Sequence, residues 1–375
     1  MSLHLAPRPI DRLLVGLFIG LSLFGLVMLL SASGPISFQH YSDPLYFLRR
    51  QILLGLVPGV LAFFIFSRFR VQLIQPYALP FLIVSLILLA LVFIPGLGHK
   101  VGGSTSWLDL KLFRVQPSEF VKVTFIVYAA AWLASRGQRE GRTLQGAMPF
   151  LLAILSILLL LILQPDTGTT AVIVLTSLAM YFVAGAPLAW FAGIGALIAM
   201  GLFFLIKVTP YRATRFMTFL HPELDPQGVG YHINQAFLAI GSGGLFGLGY
   251  GQSRQKYLYL PEVQGDSIFA VMAEELGFVI ILFFIAAIGA LVWRCFTIAR
   301  SASSDFEKYL CIGVGSWVAL QTAVNIASMT GLMPMTGVTL PFVSYGNSAT
   351  VSLCVGLGLV ASVSRHSSSG REHRV

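Results

Sequence analysis

Residues 13–42 read LLVGLFIGLSLFGLVMLLSASGPISFQHYS, thirty positions without one Asp, Glu, Lys or Arg. An α-helix needs roughly 20 apolar residues to cross a hydrocarbon core about 30 Å thick, so this run spans a bilayer with length to spare. Arg8 and Arg12 in front of it and Ser31-Ala32-Ser33 within it also resemble parts of a signal peptide. The run is too long for that, since an h-region has roughly 7–15 apolar residues. It reads as a first spanning helix.

The same test, applied outward, finds uncharged runs at 51–67, 71–99, 143–165, 167–206, 276–293 and 309–364. Two of these are long enough for two helices each, broken near Gly185-Ala186-Pro187 and in the Gly/Pro-rich stretch 331–346. A further span opens at Pro117 and carries Glu119 and Lys122 inside it. The expectation is an all-α polytopic membrane protein of ten helices, at about 11–32, 50–67, 77–95, 117–135, 147–164, 168–185, 188–207, 267–293, 309–330 and 346–364. A β-barrel is excluded, because the runs lack two-residue alternation. Lys and Arg concentrate in alternate short loops (Arg68, Arg70, Arg136, Arg139, Arg142, Arg294, Arg300 and Lys308 among them), which puts both termini in the cytoplasm.

Composition agrees. Of 375 residues 56% are hydrophobic and only 10% charged, against about 25% charged in soluble domains. That excludes a soluble enzyme, a disordered chain and a nucleic-acid binder, and places the net charge of +9 on loops beside the membrane. Cys295, Cys311 and Cys354 lie in or beside apolar runs with no CxxC spacing, so neither a disulfide framework nor zinc is indicated. The chain reads as one domain, 1–375, with a long outer loop at 208–266 and a short disordered cytoplasmic tail at 366–375.

The long loop is the anomaly, since structureless loops of that size are usually functional or disordered. Ile233, Ala236, Phe237 and Ile240 fall at helical spacing, which predicts a short amphipathic helix stopped by Gly241. The glycines that follow, up to Gly251, form either tight turns or a phosphate cradle; without a following GK[ST] they are not a P-loop. Ser253-Arg254-Gln255-Lys256 then leads through Tyr259-Leu260-Pro261-Glu262 to Asp266 at the mouth of span eight.

Charges inside a membrane are costly and mark function by default. Glu119 and Lys122 are spaced i, i+3, either as a structural ion pair or with Lys122 facing an anionic substrate. Glu274 and Glu275 point about 100° apart on a helix, so at most one of them is expected to face a shared partner. Asp166 reads as a helix N-cap. Asp266 reads either as an N-cap or, near Arg254 and Lys256 at the lipid–water boundary, as a group acting on a lipid-linked phosphate.

Several blocks in family order resemble the SEDS family (shape, elongation, division and sporulation). They are Gly103-Ser104-Thr105-Ser106-Trp107-Leu108-Asp109, Gln116 to Lys122, Ala239 to Gly247, Tyr259 through Asp266 to Glu274-Glu275-Leu276-Gly277, and Pro341-Phe342-Val343-Ser344-Tyr345-Gly346. Ser253 to Lys256 is similar to the division-type rather than the elongation-type branch. The chain departs from the family pattern at Gln264-Gly265 (usually His-Thr), Ser267 (Phe), Ser106 (Arg), Thr339 (Pro) and Asn347 (Gly).

The resemblance implies a glycosyltransferase of the bacterial cytoplasmic membrane, active at the division septum, that polymerises lipid II onto a growing glycan strand and releases undecaprenyl pyrophosphate. Implied partners are a single-span class B penicillin-binding protein, other division proteins and membrane lipid. On that reading Asp266 is the general base. Lys122, Arg254, Lys256, Arg212 and Arg215 are candidates to bind the pyrophosphate, with a divalent cation (Mg or Mn) as a candidate cofactor and no organic cofactor. Trp107 and Glu119 shape the cavity, and Glu262 and Ser344 belong to the substrate-binding motifs. The alternatives are a lipid II flippase and a non-catalytic divisome scaffold. Carriers often show two similar halves with sites near the midplane, whereas here no internal repeat is found and the reactive residues gather in one loop.

Overall fold

A computed structural model describes residues 9–101, 104–111, 113–135, 144–186, 217–221, 225 and 228–366. In chain order its elements are α1 (Arg12–Tyr41), α2 (Tyr46–Arg68), α3 (Val71–Leu91), β1 (Gly98–Val101), β2 (Ser104–Asp109), β3 (Arg114–Val115) and α4 (Pro117–Ser135). Then follow α5 (Leu144–Leu163), α6 (Thr167–Val183), α7 (Val229–Gly243), α8 (Ile268–Arg300), α9 (Asp305–Met329) and α10 (Asn347–His366). Among the described residues, seven helices (α1–α4 and α8–α10) are long and apolar enough to cross a membrane, and α5 and α6 are shorter apolar helices. Of the expected spans, 188–207 lies outside the described residues, as does the tail after His366.

Burial separates the helices into two groups. In their most apolar windows α9, α10 and α4 hide 72, 67 and 61% of residues, whereas α1, α2, α3 and α8 hide a third or less. The first three are the central post, with α9 against α4 and α8, and α10 against α2. The peripheral helices turn Leu23, Val27, Leu53, Leu61, Phe278 and Phe283 outward. An apolar exterior of this extent suits lipid rather than water.

Local chemistry explains the helix ends. Asp166 caps α6, its Oδ1 accepting from Thr169 N–H at 3.0 Å, as its position before an apolar run predicts. Asp11 caps α1 through Leu14 N–H and also ion-pairs with Arg294 from the far end of α8. Helix α1 continues well past the expected end near 32, through Pro35, to Ser42, which takes the left-handed conformation (φ 55°) and donates its N–H to the Phe38 carbonyl.

Two features depart from the all-α expectation of regular spans. The segment before α4 forms a three-stranded antiparallel sheet in the order β1-β2-β3, tied to the α5–α6 turn by Ser104 Oγ on the Gln164 carbonyl. Helix α8 is broken at Gly277 (φ 74°, ψ 175°). Around the break the glycine tract is stitched on by main-chain bonds: Leu248 and Gly249 donate to the carbonyls of Glu274 and Glu275, while Phe278 and Val279 donate to those of Gly244 and Leu245. A Cβ on Gly277 would lie 2.2 Å from Gly247 N, so only glycine permits this approach.

Candidate active site

One end of the bundle gathers the sheet, the α5–α6 turn, α7, the segment 244–267 and the loop 330–346. Helix α7 matches the predicted amphipathic helix, with Ile233 and Ala236 buried, but runs on to Gly243 rather than stopping at Gly241. Phe237, the outlier of its buried stripe, lies against Gly331 of the loop before α10. The glycine tract after α7 makes the tight turns and close packing just described.

Asp266 sits half-buried immediately before α8. The residue directly before the first helical turn is Ser267, which makes no side-chain cap bond. The Asp266 backbone is held from two sides. Asn325 of α9, fully buried, donates Nδ2 to the Asp266 carbonyl at 2.9 Å and to the Val338 carbonyl at 2.7 Å. From the loop before α10, Ser344 Oγ donates to the Gly265 carbonyl at 2.7 Å, and Tyr345 N–H donates to the Gln264 carbonyl at 2.7 Å. The carboxylate faces Gly337, where a Cβ would stand 3.9 Å from Oδ2. Ser267, at the position where the family pattern has Phe, is hydrogen-bonded to His232 Nε2 of α7.

Glu262 lies at the exposed rim of the same cluster in a left-handed conformation (φ 50°) and accepts from Gln264 Nε2 at 3.0 Å. Protein packed around its carboxyl raises its pKa above the ordinary carboxylate value. Burial likewise raises the pKa of the Tyr345 phenol. Ser344, 5% exposed, also accepts from Leu340 N–H, so this candidate binding residue serves to pin two backbone segments together.

Lys122 and Glu119 form the ion pair that their spacing suggests, at 2.7 Å and almost fully buried. Lys122 Nζ also donates to Gln321 Oε1 at 2.9 Å and lies 5.2 Å from the Trp317 ring centroid. Gln321 in turn donates Nε2 to the Thr339 carbonyl at 2.9 Å. A continuous polar path therefore runs from Glu119 through Lys122, Gln321 and the 339–344 loop to the backbone of Asp266. Trp107 is half-buried on β2, paired with His99 on β1, while its neighbours Ser106 and Leu108 face inward. Arg254 is exposed. Arg212 and Arg215 lie outside the described residues.

Lys256 departs from the expectation of a pyrophosphate ligand. It is 3% exposed, and its Nζ bonds to Glu275 Oε1 at 2.8 Å, the Gly251 carbonyl at 2.8 Å and Ser31 Oγ of α1 at 3.0 Å. The cause is electrostatic: Glu274 and Glu275 are each 1% exposed and require compensation. Nor does the 100° between these glutamates keep them apart, since both reach Ser253. Its hydroxyl donates to Glu274 and its N–H to Glu275 at 3.3 Å. Glu274 also takes the N–H groups of Arg254 and Gln255.

Sequence reasoning missed Asn325, Gln321 and Ser31. The signal for the first two was present, because an amide in the middle of a membrane helix is expensive unless it is hydrogen-bonded.

Residues 11–369 match the family of cell cycle proteins that unites FtsW, RodA and SpoVE. The chain is 38% identical over 357 residues to stage V sporulation protein E of Bacillus subtilis, covering 95% of this chain and 97% of that one. It is 42% identical over 347 residues to a protein of Thioalkalivibrio sulfidiphilus named probable peptidoglycan glycosyltransferase FtsW, covering 91% and 86%. Its fold superposes on a chain of a solved peptidoglycan synthase complex that coordinates polymerization and crosslinking, with a TM-score of 0.77 at 28% identity over 96% of this chain and 99% of that one. It also superposes on the rod shape determining protein RodA of Thermus thermophilus, with a TM-score of 0.71 at 30% identity over 96% and 98%. The chain thus belongs to the FtsW/RodA/SpoVE family, the SEDS family that its sequence blocks resemble.

Proposed function

We propose that this protein is a peptidoglycan glycosyltransferase that polymerises lipid II at the outer surface of the bacterial cytoplasmic membrane in septal wall synthesis, with Asp266 as its general base. The observation that carries the assignment of the base is the setting of Asp266. It stands half-buried at the start of α8, its carbonyl bonded by Asn325 and the two residues before it by Ser344 and Tyr345, whereas Glu119, Glu274 and Glu275 are 5% exposed or less.

A sugar hydroxyl is a poor nucleophile at neutral pH, and a positioned base contributes typically about 10²–10⁴-fold. The Asp266 carboxylate takes the acceptor hydroxyl proton as that oxygen bonds to the anomeric carbon of the donor sugar. The carbon–oxygen bond to the lipid pyrophosphate breaks, and its electron pair leaves with the pyrophosphate. One displacement inverts the α-linked donor to a β-1,4 linkage, without a covalent enzyme intermediate.

Charge growing on the leaving group needs positive counterparts. Arg254 is exposed on the same loop and suited to this role; Arg212 and Arg215 are assigned to it from sequence. Lys122, a candidate for the same role from sequence, is buried and paired with Glu119. Trp107 and Glu262 stand as candidates to shape the sugar path. Magnesium usually binds through one or two carboxylates plus substrate phosphates, so the pyrophosphate is the proposed source of most ligands for a Mg²⁺ or Mn²⁺ that takes part. A class B penicillin-binding protein is the proposed cross-linking partner.

The test is glycan-chain formation from purified lipid II in detergent, with and without the penicillin-binding partner, comparing wild type with Asp266→Asn. Polymer from wild type and none from a folded, partner-bound Asp266→Asn supports the assignment. Full activity in the variant removes Asp266 from the role of base, and no polymer from either protein in an intact complex favours a flippase.

A further inference from the structure

We propose that Ser31, Ser253, Lys256, Glu274 and Glu275 form a buried latch that positions Asp266, setting the rate of polymerisation rather than the affinity for lipid II. The inference rests on the reading of Asp266 as the base. All five residues are 8% exposed or less, and they join three segments distant in sequence: α1, the loop after the glycine tract, and the first turns of α8. Ser31 Oγ donates to Glu275 at 2.7 Å, Lys256 bridges Glu275 and Ser31, and Ser253 spans both glutamates. Two carboxylates face one ammonium, and the balance comes from the N–H groups of Ser253, Arg254 and Gln255. The loop main chain is therefore itself part of the charge compensation, and it cannot shift without leaving a buried carboxylate poorly solvated.

The loop between latch and base is under conformational tension. Leu258 (φ 70°) and Glu262 (φ 50°) both occupy the left-handed region without being glycine, and so does Phe342 (φ 69°) in the loop that bears on Asp266 from the other side. Such conformations persist only where the surroundings over-determine them. On the near side the determinants are the bonds to Gly265, Gln264 and Asp266; on the far side they are the latch.

Both sides stand on α1. The Phe342 carbonyl packs onto Gly25 so closely that a Cβ there would lie 2.0 Å away. Tyr250 donates to the Val27 carbonyl at 2.8 Å, and Ser31 closes the latch one turn further on. Segment 25–31 of α1 is thus a common footing for the two arms that hold the base, and releasing one arm lets the strained loop relax and carry Asp266 off its aim.

The experiment measures initial polymerisation rates against lipid II concentration for the full-length protein with its partner, normalised to the folded fraction from thermal denaturation. The variants are Lys256→Met, Glu275→Gln, the two combined, Ser31→Ala and Ser31→Thr. Displacing a reacting group by about an ångström can cost of order 10²-fold, so kcat per folded molecule is expected to fall about tenfold to a hundredfold in Lys256→Met and Glu275→Gln, with KM nearly unchanged. The double variant is expected to be no worse than the worse single, as for residues acting as one unit. Ser31→Thr, which keeps the hydroxyl, retains kcat where Ser31→Ala loses it, and this pair decides the matter if the charge variants do not fold. Normal kcat per folded molecule in Glu275→Gln and Ser31→Ala, with loss confined to melting temperature, overturns the latch. Failure of the underlying reading looks different: Asp266→Asn then polymerises normally, whatever the latch variants do.

Discussion

Replacing Asn325 by Ala removes a side chain that donates to both the Asp266 and the Val338 carbonyls, at 2.9 and 2.7 Å. Asn325 is fully buried, so both acceptors lose this donor inside the protein rather than exchanging it for bulk water. A buried polar group left unsatisfied costs about 1–3 kcal/mol, and two cost about 2–6. Water entering the vacated space recovers part of this, which brings the expectation to the lower half, about 2–4 kcal/mol. If only 2 kcal/mol of it falls on the arrangement of Asp266, activity drops about 30-fold, since about 1.4 kcal/mol is worth a factor of ten. The assay pairs thermal denaturation in detergent with the rate of glycan-chain formation, and Asn325→Asp serves as a second variant that keeps the size but loses the donor. Both substitutions should lower melting temperature and rate together. An Asn325→Ala protein that melts and polymerises like wild type refutes the reasoning, because it means that the base does not depend on this clamp.

Two further perturbations test the scaffold. Lys122→Met strands the Glu119 carboxylate, now 2.7 Å from the ammonium, in a buried site; breaking a buried pair costs about 3–5 kcal/mol. Adding Glu119→Gln should restore most of the lost melting temperature, and a double variant as unstable as the single would contradict the pairing. Gly277→Ala imposes a side chain on a φ of 74° and ψ of 175°, worth about 1–3 kcal/mol before any clash with Gly247. Thermal denaturation should show a large loss there and little change for Gly289→Ala on the same helix, where nothing stands within 4 Å of the added methyl.

The spans were legible because a bilayer enforces length and the absence of charge together, and a linear sequence displays both. What it does not display is where a helix stops when neighbouring segments hold it. The first span is expected to end near 32, yet α1 runs on through Pro35 to Tyr41. The Glu274-Glu275-Leu276-Gly277 run looks like uninterrupted helix, yet the glycine tract docks there through four main-chain bonds and breaks it. The sheet was invisible for a different reason: its strands are two to six residues long, below the length at which alternation can be read, and its tie to the Gln164 carbonyl comes from far along the chain.

The site divides along the same line. Asp266, Glu262 and Ser344 lie within the blocks that resemble the family, and the fold brings them into one cluster. Lys256 was misread because Ser253-Arg254-Gln255-Lys256 looks like one basic patch, while its partners stand 19 and 225 positions away. The two cations of that tetrapeptide have opposite fates: Arg254 remains exposed and Lys256 is buried. A charge inside the membrane is expensive, and sequence alone cannot tell whether the expense goes to chemistry or to architecture. Here Glu119, Lys122, Glu274 and Glu275, the costliest charges, are all closed off against partners within the protein. Their pairing makes the frame rigid. The carboxylate assigned to the reaction lies instead on a half-buried residue at the N-terminal end of α8. A rigid charged frame beneath and a reactive carboxylate at the boundary is the division of labour that a lipid-linked substrate requires, because its tail must stay in the membrane while its sugar reacts at the surface.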